Sequence, residues 1–239
     1  MIGILRGELG KTLTTRTLYA FVLVSAGFGA LNALVVGAAS GDLDSLPEKK
    51  EALTCLPVLL LVWGLVGVAG EYRHRTAAPA VLASGRARQT VLALRILVHT
   101  ATGLALGVIT SAVSVAIALP LVGDMPGEPL STGDVRDVVA ANLAASVLAT
   151  VLGAALGAVI RNQIAGVVTA LVLDFAVVPL LGGVNEGLAN LTPFGAASVL
   201  SGMTHHTTLT VPQAGLVLTA WSVVGVMAAL ICERWRDLA

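Results

Sequence analysis

Charged residues are scarce in this chain of 239 residues, where Asp, Glu, Lys and Arg together make up only 12%. A soluble domain is typically about one quarter charged. Half that fraction leaves too little polar surface to keep a chain of this size in water, so the composition excludes an ordinary soluble protein. Hydrophobic residues reach 56% and the mean hydropathy is +0.90, as is typical of an integral membrane protein.

Aromatic residues and cysteines are also few. Aromatics make up only 4% of a chain dominated by Ala, Val, Leu and Gly, a mixture that suits closely packed transmembrane helices. The topology predicted below places the two cysteines, Cys55 and Cys232, at opposite membrane faces, about 30 Å apart. Because a disulfide requires Cα atoms within about 7 Å, we expect both thiols to be free.

Several functional motifs are missing. The chain has no cluster of basic residues typical of a nucleic-acid-binding surface, so we expect no nucleic-acid partner. Residues 10–12 read Gly-Lys-Thr, but Leu5 replaces the earlier glycine of a phosphate-binding loop, so we expect no ATP binding by this chain. Ser201 lacks a Gly-x-Ser-x-Gly context, which leaves no candidate catalytic residue. His205 and His206 lack the three or four converging ligands of a metal site.

What the chain does have is six long apolar stretches. A bilayer core requires about 20 apolar residues in helical form. We therefore predict an all-α, polytopic membrane protein with one transmembrane domain over residues 1–239. The predicted spans are residues 18–39, 53–70, 91–119, 138–160, 164–181 and 212–232. The third is longer than a bilayer requires, so it extends into the cytoplasm or tilts.

The distribution of positive charge predicts the orientation. With the N-terminus in the cytoplasm, eleven of the fourteen Lys and Arg residues fall inside, and Lys49, Lys50 and Arg136 fall outside. This excess agrees with the positive-inside rule. We therefore expect a multi-pass protein of the bacterial cytoplasmic membrane, with both termini in the cytoplasm.

Three segments between the spans carry further signals. In residues 4–16, Ile4, Leu5, Leu9 and Leu13 recur at helical spacing, which favours an interfacial amphipathic helix over a plain polar terminus. The cytoplasmic loop 71–90 is basic, which either holds the loop inside or forms a docking surface, and residues 77–83 could form a short helix. The outer segment 182–211 is too apolar for a solvated loop and predicts a re-entrant or interfacial helix.

Two pairs of glycines indicate close helix packing. Gly103 and Gly107 share one helix face, and so do Gly153 and Gly157. Small residues at this spacing allow helix backbones to approach each other within a membrane.

Asp174 is the most conspicuous single residue, because it lies near the middle of the fifth span. A charge there costs about 2.5–3.5 kcal/mol on insertion scales. One interpretation is a substrate or proton site in a translocation pathway, with Asn32 of the first span as a candidate partner. The other is a packing residue held by hydrogen bonds.

Several segments together resemble the membrane subunits of type-2 ATP-binding-cassette (ABC) exporters, especially the short six-span permeases common in actinobacteria. The segment 5–11 is similar to the amphipathic N-terminal helix of that family, and 70–76 with 86–88 resembles its first cytoplasmic loop. The remaining similar segments are the inner turn 161–163, the outer stretch 192–197 and the basic ending 234–237. Asp174 departs from the family, in which an uncharged residue is expected.

The resemblance implies a permease that exports a hydrophobic or amphipathic compound, such as a drug, an antibiotic, a peptide or a lipid-like molecule. Two permease subunits, identical or homologous, would pair in the lipid bilayer. Separate cassette ATPase subunits would bind ATP and Mg and dock from the cytoplasm, so this chain would hold no cofactor and would not be an enzyme. The coupling residues implied are Glu71, Tyr72, Arg73, His74, Arg75 and Thr76.

Two other classes of protein remain open from the residues alone. One is a standalone secondary transporter or channel, a class that usually shows broken helices and several intramembrane charges. The other is a membrane assembly protein that transports nothing.

Overall fold

The computed structural model describes residues 2–39, 43, 45–123, 125–203 and 208–235, which form helices and no β-strand. The helices of the first half are α1 (Ile2–Thr14), α2 (Arg16–Ala39), α3 (Leu46–Glu51), α4 (Pro57–Arg73), α5 (Ala77–Ser84) and α6 (Arg88–Val122). Those of the second half are α7 (Thr132–Ile160), α8 (Gln163–Val172), α9 (Val178–Val184), α10 (Glu186–Leu191), α11 (Pro193–Ser201) and α12 (Val211–Trp235). A π-helical segment, Leu173–Val177, joins α8 to α9.

Five of these helical stretches are long and apolar enough to cross a membrane, which indicates a multi-pass membrane protein. They are Arg16–Gly37, Arg88–Val122, Thr132–Ile160, Gln163–Val184 and Val211–Trp235. The remaining predicted span, residues 53–70, corresponds to α4, which has only 17 residues. At 1.5 Å per residue α4 is about 25 Å long, shorter than a hydrocarbon core of about 30 Å.

Helix α4 nevertheless lies at the centre of the bundle. It packs along α7, and its side chains Leu60, Leu61, Trp63, Leu65 and Val68 are almost wholly buried. By contrast, the stretch Gln163–Val184 is largely exposed, since only 11% of its apolar 18-residue segment is buried. The most enclosed helix is therefore flanked by helices that expose apolar faces, as expected for a bundle surrounded by lipid.

Glycines make the contact between α4 and α7 possible, as the sequence predicts. A Cβ atom at Gly153 would overlap the carbonyl oxygen of Leu61, and one at Gly157 would lie 2.6 Å from the carbonyl oxygen of Leu65. Gly64 of α4 approaches the backbone of α7 in the same way. Because the neighbouring atoms belong to backbone, they cannot rotate aside, and these positions exclude any larger residue.

The second glycine pair joins α6 to α7 in a similar manner. Gly103 packs against the side chain of Thr150, and Gly107 packs against that of Ser146. Both hydroxyls bond back to their own helix, since Thr150 Oγ1 donates to Ser146 O (2.7 Å) and Ser146 Oγ donates to Asn142 O (2.6 Å). The close α6–α7 contact therefore leaves no buried hydroxyl of these two residues without an acceptor.

The N-terminal segment is helical, as predicted, and Leu9 and Leu13 lie on a face turned away from the bundle. Glu8 and Thr12 are turned toward the bundle, whereas Leu9 and Leu13 are 40% and 47% exposed. The reason is electrostatic, because Glu8 finds a buried cationic partner in α6. The exposed leucines remain available to an apolar surface outside the chain.

The described part of the outer segment contains two short helices, α10 and α11. Thr192 caps α11, because its Oγ1 accepts a hydrogen bond from Gly195 N (3.0 Å), and Pro193 occupies the first helical position. Phe194 and Leu200 are each 5% exposed and pack against α12 and its neighbours, whereas Leu188 is 56% exposed. The apolar character of this segment is therefore explained in α11 by burial.

Candidate functional site

The loop between α4 and α6 divides the six predicted coupling residues into two groups. Glu71 is buried and Tyr72 is half-buried, so both face the bundle. Arg73, His74, Arg75 and Thr76 are exposed. The short helix α5 follows directly, close to the predicted residues 77–83, and its Leu82 is 81% exposed. The loop thus has an inner face that is anchored and an outer face that is open.

Glu71 is the centre of an ionic cluster that joins three helices. Its carboxylate forms an ion pair with Lys11 of α1 and lies 3.6 Å from Arg95 of α6. It also accepts a hydrogen bond from Thr76 Oγ1 (2.6 Å). Arg95 in turn donates to Glu8 of α1 at 3.2 Å. We call Glu8, Lys11, Glu71 and Arg95 the ionic cluster.

The electrostatic balance of the ionic cluster keeps Glu71 charged. Glu71 lies just beyond the apolar part of α4, and burial alone would raise the pKa of its carboxyl. Arg95, Lys11 and Thr76 outweigh burial and lower the pKa below its usual value. Because the folded-state pKa is lowered, the stabilisation from Glu71 is present at neutral pH and is lost as the pH falls through that lowered value.

Arg95 is the most enclosed member of the ionic cluster. Its side chain is 3% exposed, and its Nε has no hydrogen-bond partner in the described part of the chain. Its carbonyl oxygen lies 3.0 Å from Nδ1 of His99 one turn further along α6. A buried guanidinium is tolerated only when it is paired, so Arg95 depends on the two carboxylates of the cluster.

A second polar cluster joins α4 to the ends of α7 and α12. Tyr72 donates a hydrogen bond from its hydroxyl to Glu233 Oε2 (2.7 Å), and Arg161 Nη2 lies 2.9 Å from the same oxygen. The guanidinium of Arg161 lies over the Tyr72 ring, 4.7 Å from its centroid. Arg161 ends α7 with a left-handed backbone (φ 56°), which turns the chain toward α8.

The two clusters meet at the C-terminal end of α4. Through adjacent residues there, they connect that end to α1 and α6 on one side and to α7 and α12 on the other. Exposed ion pairs contribute little rigidity, but buried ones are costly to separate.

Asp174 lies in the π-helical segment within the Gln163–Val184 stretch. There Val178 N donates to Leu173 O, a hydrogen bond over five residues instead of four. Pro179 explains this wider turn, since it lacks an N–H group and its ring would clash with the carbonyl of Phe175 in a regular α-helix. In the described part of the chain, Asp174 forms no hydrogen bond or ion pair.

A cavity of about 410 Å³ lies beside Asp174. It is bounded by the start of α4, the π-helical segment, α9, α10, α11 and single residues of α7 and α12. Among the described residues, its polar lining consists of Asp174, Glu186, Asn190 and Ser198, and the rest of the lining is mainly apolar.

The predicted partnership of Asn32 with Asp174 is not found. Asn32 Nδ2 donates instead to Glu51 O (3.0 Å) and lies 3.4 Å from Thr54 Oγ1, at the turn between α3 and α4. The amide therefore satisfies a turn that connects two helices, and Asn32 does not line the cavity. A role for Asp174 in translocation stays a prediction.

Metal binding has no support in the described ranges, in which no group of three or more His, Cys, Asp or Glu residues could hold a metal ion. His205 and His206 lie outside the described residues. Cys55 and Cys232 are free thiols, in agreement with the sequence analysis.

No protein-family model matches the chain, and no curated protein matches it either.

Sequence reasoning missed five residues of the two clusters as partners: Glu8, Lys11, Arg95, Arg161 and Glu233. A signal was present for Arg95, because it is a cation within the predicted third span and must find an anionic partner there. Its partner Glu8 is 87 residues away in the sequence. No local pattern could have connected the two residues.

Proposed function

We propose that this chain is the permease subunit of an ABC exporter of the type-2 kind. The observation that carries the proposal is the ionic cluster, in which Glu71, at the start of the predicted coupling loop, is connected to α1 and α6. A loop that transmits force requires such an anchor, whereas a loop that only holds the topology through its positive charge does not.

In this proposal α4 also spans the membrane, which raises the number of spans from five to six. Its 17 residues are shorter than the hydrocarbon core, but neighbouring helices surround it on most sides. A short span can be accommodated by bilayer thinning, and an enclosed one makes little contact with lipid. Six spans then return the chain to its starting side, with the ionic cluster at the cytoplasmic end of the bundle and α5 and both termini in the cytoplasm.

The proposed mechanism begins at α5. A cassette ATPase, which carries ATP and Mg, docks against the exposed side of α5 and the loop before it, where Leu82, Arg73 and Arg75 are accessible. Its closure displaces the loop, and Glu71 and Tyr72 pass the displacement to the spans. A second permease subunit completes the pathway in the bilayer, and the cargo is a hydrophobic or amphipathic compound.

Photocrosslinking from α5 tests this proposal. The photoreactive residue p-benzoylphenylalanine is placed at Leu82 in cells of the natural host, and adducts are identified by mass spectrometry after ultraviolet illumination. The expected adduct is an ATPase whose sequence contains a phosphate-binding loop and a cassette signature. A photoreactive residue has a reach of only a few ångströms, so an adduct shows direct contact.

The matched control places the same residue at Leu180 of α9, which is 72% exposed and lies outside the predicted cytoplasmic loops. It should give adducts with lipid or with another permease copy, and none with an ATPase. If position 82 gives no ATPase adduct while the membrane-inserted protein accumulates normally, the exporter proposal is wrong.

A further inference from the structure

The cavity beside Asp174 has the dimensions of a site for a small organic molecule. Ligand pockets in proteins usually measure about 300–1,000 Å³ and are mainly apolar, with a few placed polar groups. The volume here is about 410 Å³. Leu56, Pro57 and Leu61 of α4 and its N-terminal flank line one side, and Phe194 and Ala197 of α11 line another.

The ionisable side chains among the described lining residues are all acidic. Two carboxyl groups, those of Asp174 and Glu186, contribute to its lining, and none of the described lining residues is Lys, Arg or His. Asn190 is already engaged, since its Nδ2 lies 3.3 Å from Thr208 Oγ1. Asp174 has no described hydrogen-bond or ion-pair partner, so the chain leaves its carboxyl available to a ligand.

The lining also selects the chemical class of the ligand. A metal ion prefers several converging oxygen or nitrogen ligands, and the described residues offer no such group. An organic cation needs only one counter-ion together with apolar and aromatic surface. Phe175 and Phe194 both line the cavity, and aromatic faces attract organic cations.

We propose that this cavity binds an amphipathic organic monocation, with Asp174 as its counter-ion. The inference rests on the proposed function and deepens it, because it assigns a class of cargo to the permease. The widened π-helical turn places Asp174 at the cavity, and such turns occur frequently at functional sites.

Binding of tetraphenylphosphonium tests the inference. This probe is a permanent lipophilic cation, and its affinity is measured by isothermal titration calorimetry on the purified chain in lipid nanodiscs, without any ATPase. Tetraphenylborate, an anion of the same shape, is the matched ligand control. We expect saturable binding of the cation and at least tenfold weaker binding of the anion.

Substitutions locate the site within the chain. Asp174→Asn keeps the shape of the side chain and should weaken binding of the cation at least tenfold, equivalent to about 1.4 kcal/mol. Asp174→Glu keeps the charge and should retain binding within a few-fold. Asp137→Asn makes the same chemical change at an exposed position of α7 whose side chain pairs with Arg136, and should leave binding unchanged.

The outcomes separate this inference from the proposed function. Absence of saturable cation binding, equal affinity for the anion, or unchanged affinity in a folded Asp174→Asn variant would each overturn the inference. Because the measurement uses the chain alone, none of these results bears on ATPase docking. Conversely, charge-dependent binding together with no crosslink from α5 would reject the exporter proposal and leave the cation site in place.

Discussion

Arg95→Met should destabilise the protein by about 3–5 kcal/mol, because it leaves Glu8 buried without its cation. The side chains of Arg95 and Glu8 are only 3% and 9% exposed, and their charged atoms are 3.2 Å apart. At that distance and an effective dielectric constant of about 20, the attraction between the two charges is about 5 kcal/mol. Glu71 retains Lys11 and Thr76, so the penalty falls mainly on Glu8.

A double-mutant cycle separates the ion pair from general effects of packing. Glu8→Gln combined with Arg95→Met removes both charges, so the double variant should be more stable than the sum of the single effects by about 2 kcal/mol. The free energy of unfolding is measured in mixed micelles by titration with a denaturing detergent, followed by circular dichroism.

The control for the cycle is Arg86→Met, which removes an exposed arginine from the same cytoplasmic loop. It should change the free energy of unfolding by less than about 0.5 kcal/mol. A loss of under about 1 kcal/mol in Arg95→Met, or strict additivity of the two single substitutions, would refute the reasoning, because the ionic cluster would then anchor nothing.

Two further substitutions test the packing of the bundle and its outer loop by the same unfolding measurement. Gly153→Ala should cost about 3 kcal/mol, because the new methyl group overlaps the backbone carbonyl of Leu61. The matched Gly70→Ala in α4 meets no atom within 4 Å and should stabilise the helix by about 0.5–1 kcal/mol, so equal effects at the two glycines would contradict the described α4–α7 contact. Lys49→Met should cost about 1–3 kcal/mol, since the buried ammonium donates to two carbonyls of the loop before α7 (3.1 and 3.0 Å). Lys50→Met removes an ion pair that is one-third exposed and should cost less than about 1 kcal/mol, and a ranking of the two lysines in the reverse order would argue against the described loop.

The helices of this protein could be predicted from sequence because the bilayer imposes a strong local constraint. Every backbone polar group in hydrocarbon must be satisfied within its own segment, so a long apolar run is almost always a helix. The short helix α5 and the glycine faces of α6 and α7 were also accessible, since each depends on residues a few positions apart. The boundaries of α4 were harder to predict from sequence, because its enclosure by other helices permits a span of only 17 residues.

The partners of the charged groups could not be predicted in this way. The pairing of Glu8 with Arg95, and of Tyr72 with Glu233, joins residues separated by 87 and 161 positions. The leucine spacing in α1 indicated an amphipathic helix, but it did not indicate that Glu8 would be buried against α6. Such long-range pairs depend on which helices pack together, and a local pattern does not encode that.

Asn32 illustrates the same limit. A polar residue within a span is expected to seek another polar group, and Asp174 was the most conspicuous one in the sequence. The structure shows that the backbone of a nearby turn satisfies the amide instead. Backbone acceptors at helix ends cannot be ranked against side chains until the packing of the helices is known.

The orientation of the loop after α4 is the central claim of this account, because the coupling role requires that loop to lie in the cytoplasm. The direct measurement is labelling of single cysteines by a membrane-impermeant maleimide in a background in which Cys55 and Cys232 are replaced by alanine. Leu82→Cys in α5 should react only after the cells are permeabilised, and Glu128→Cys in the opposite loop should react in intact cells. Labelling of Leu82→Cys in intact cells would contradict the account.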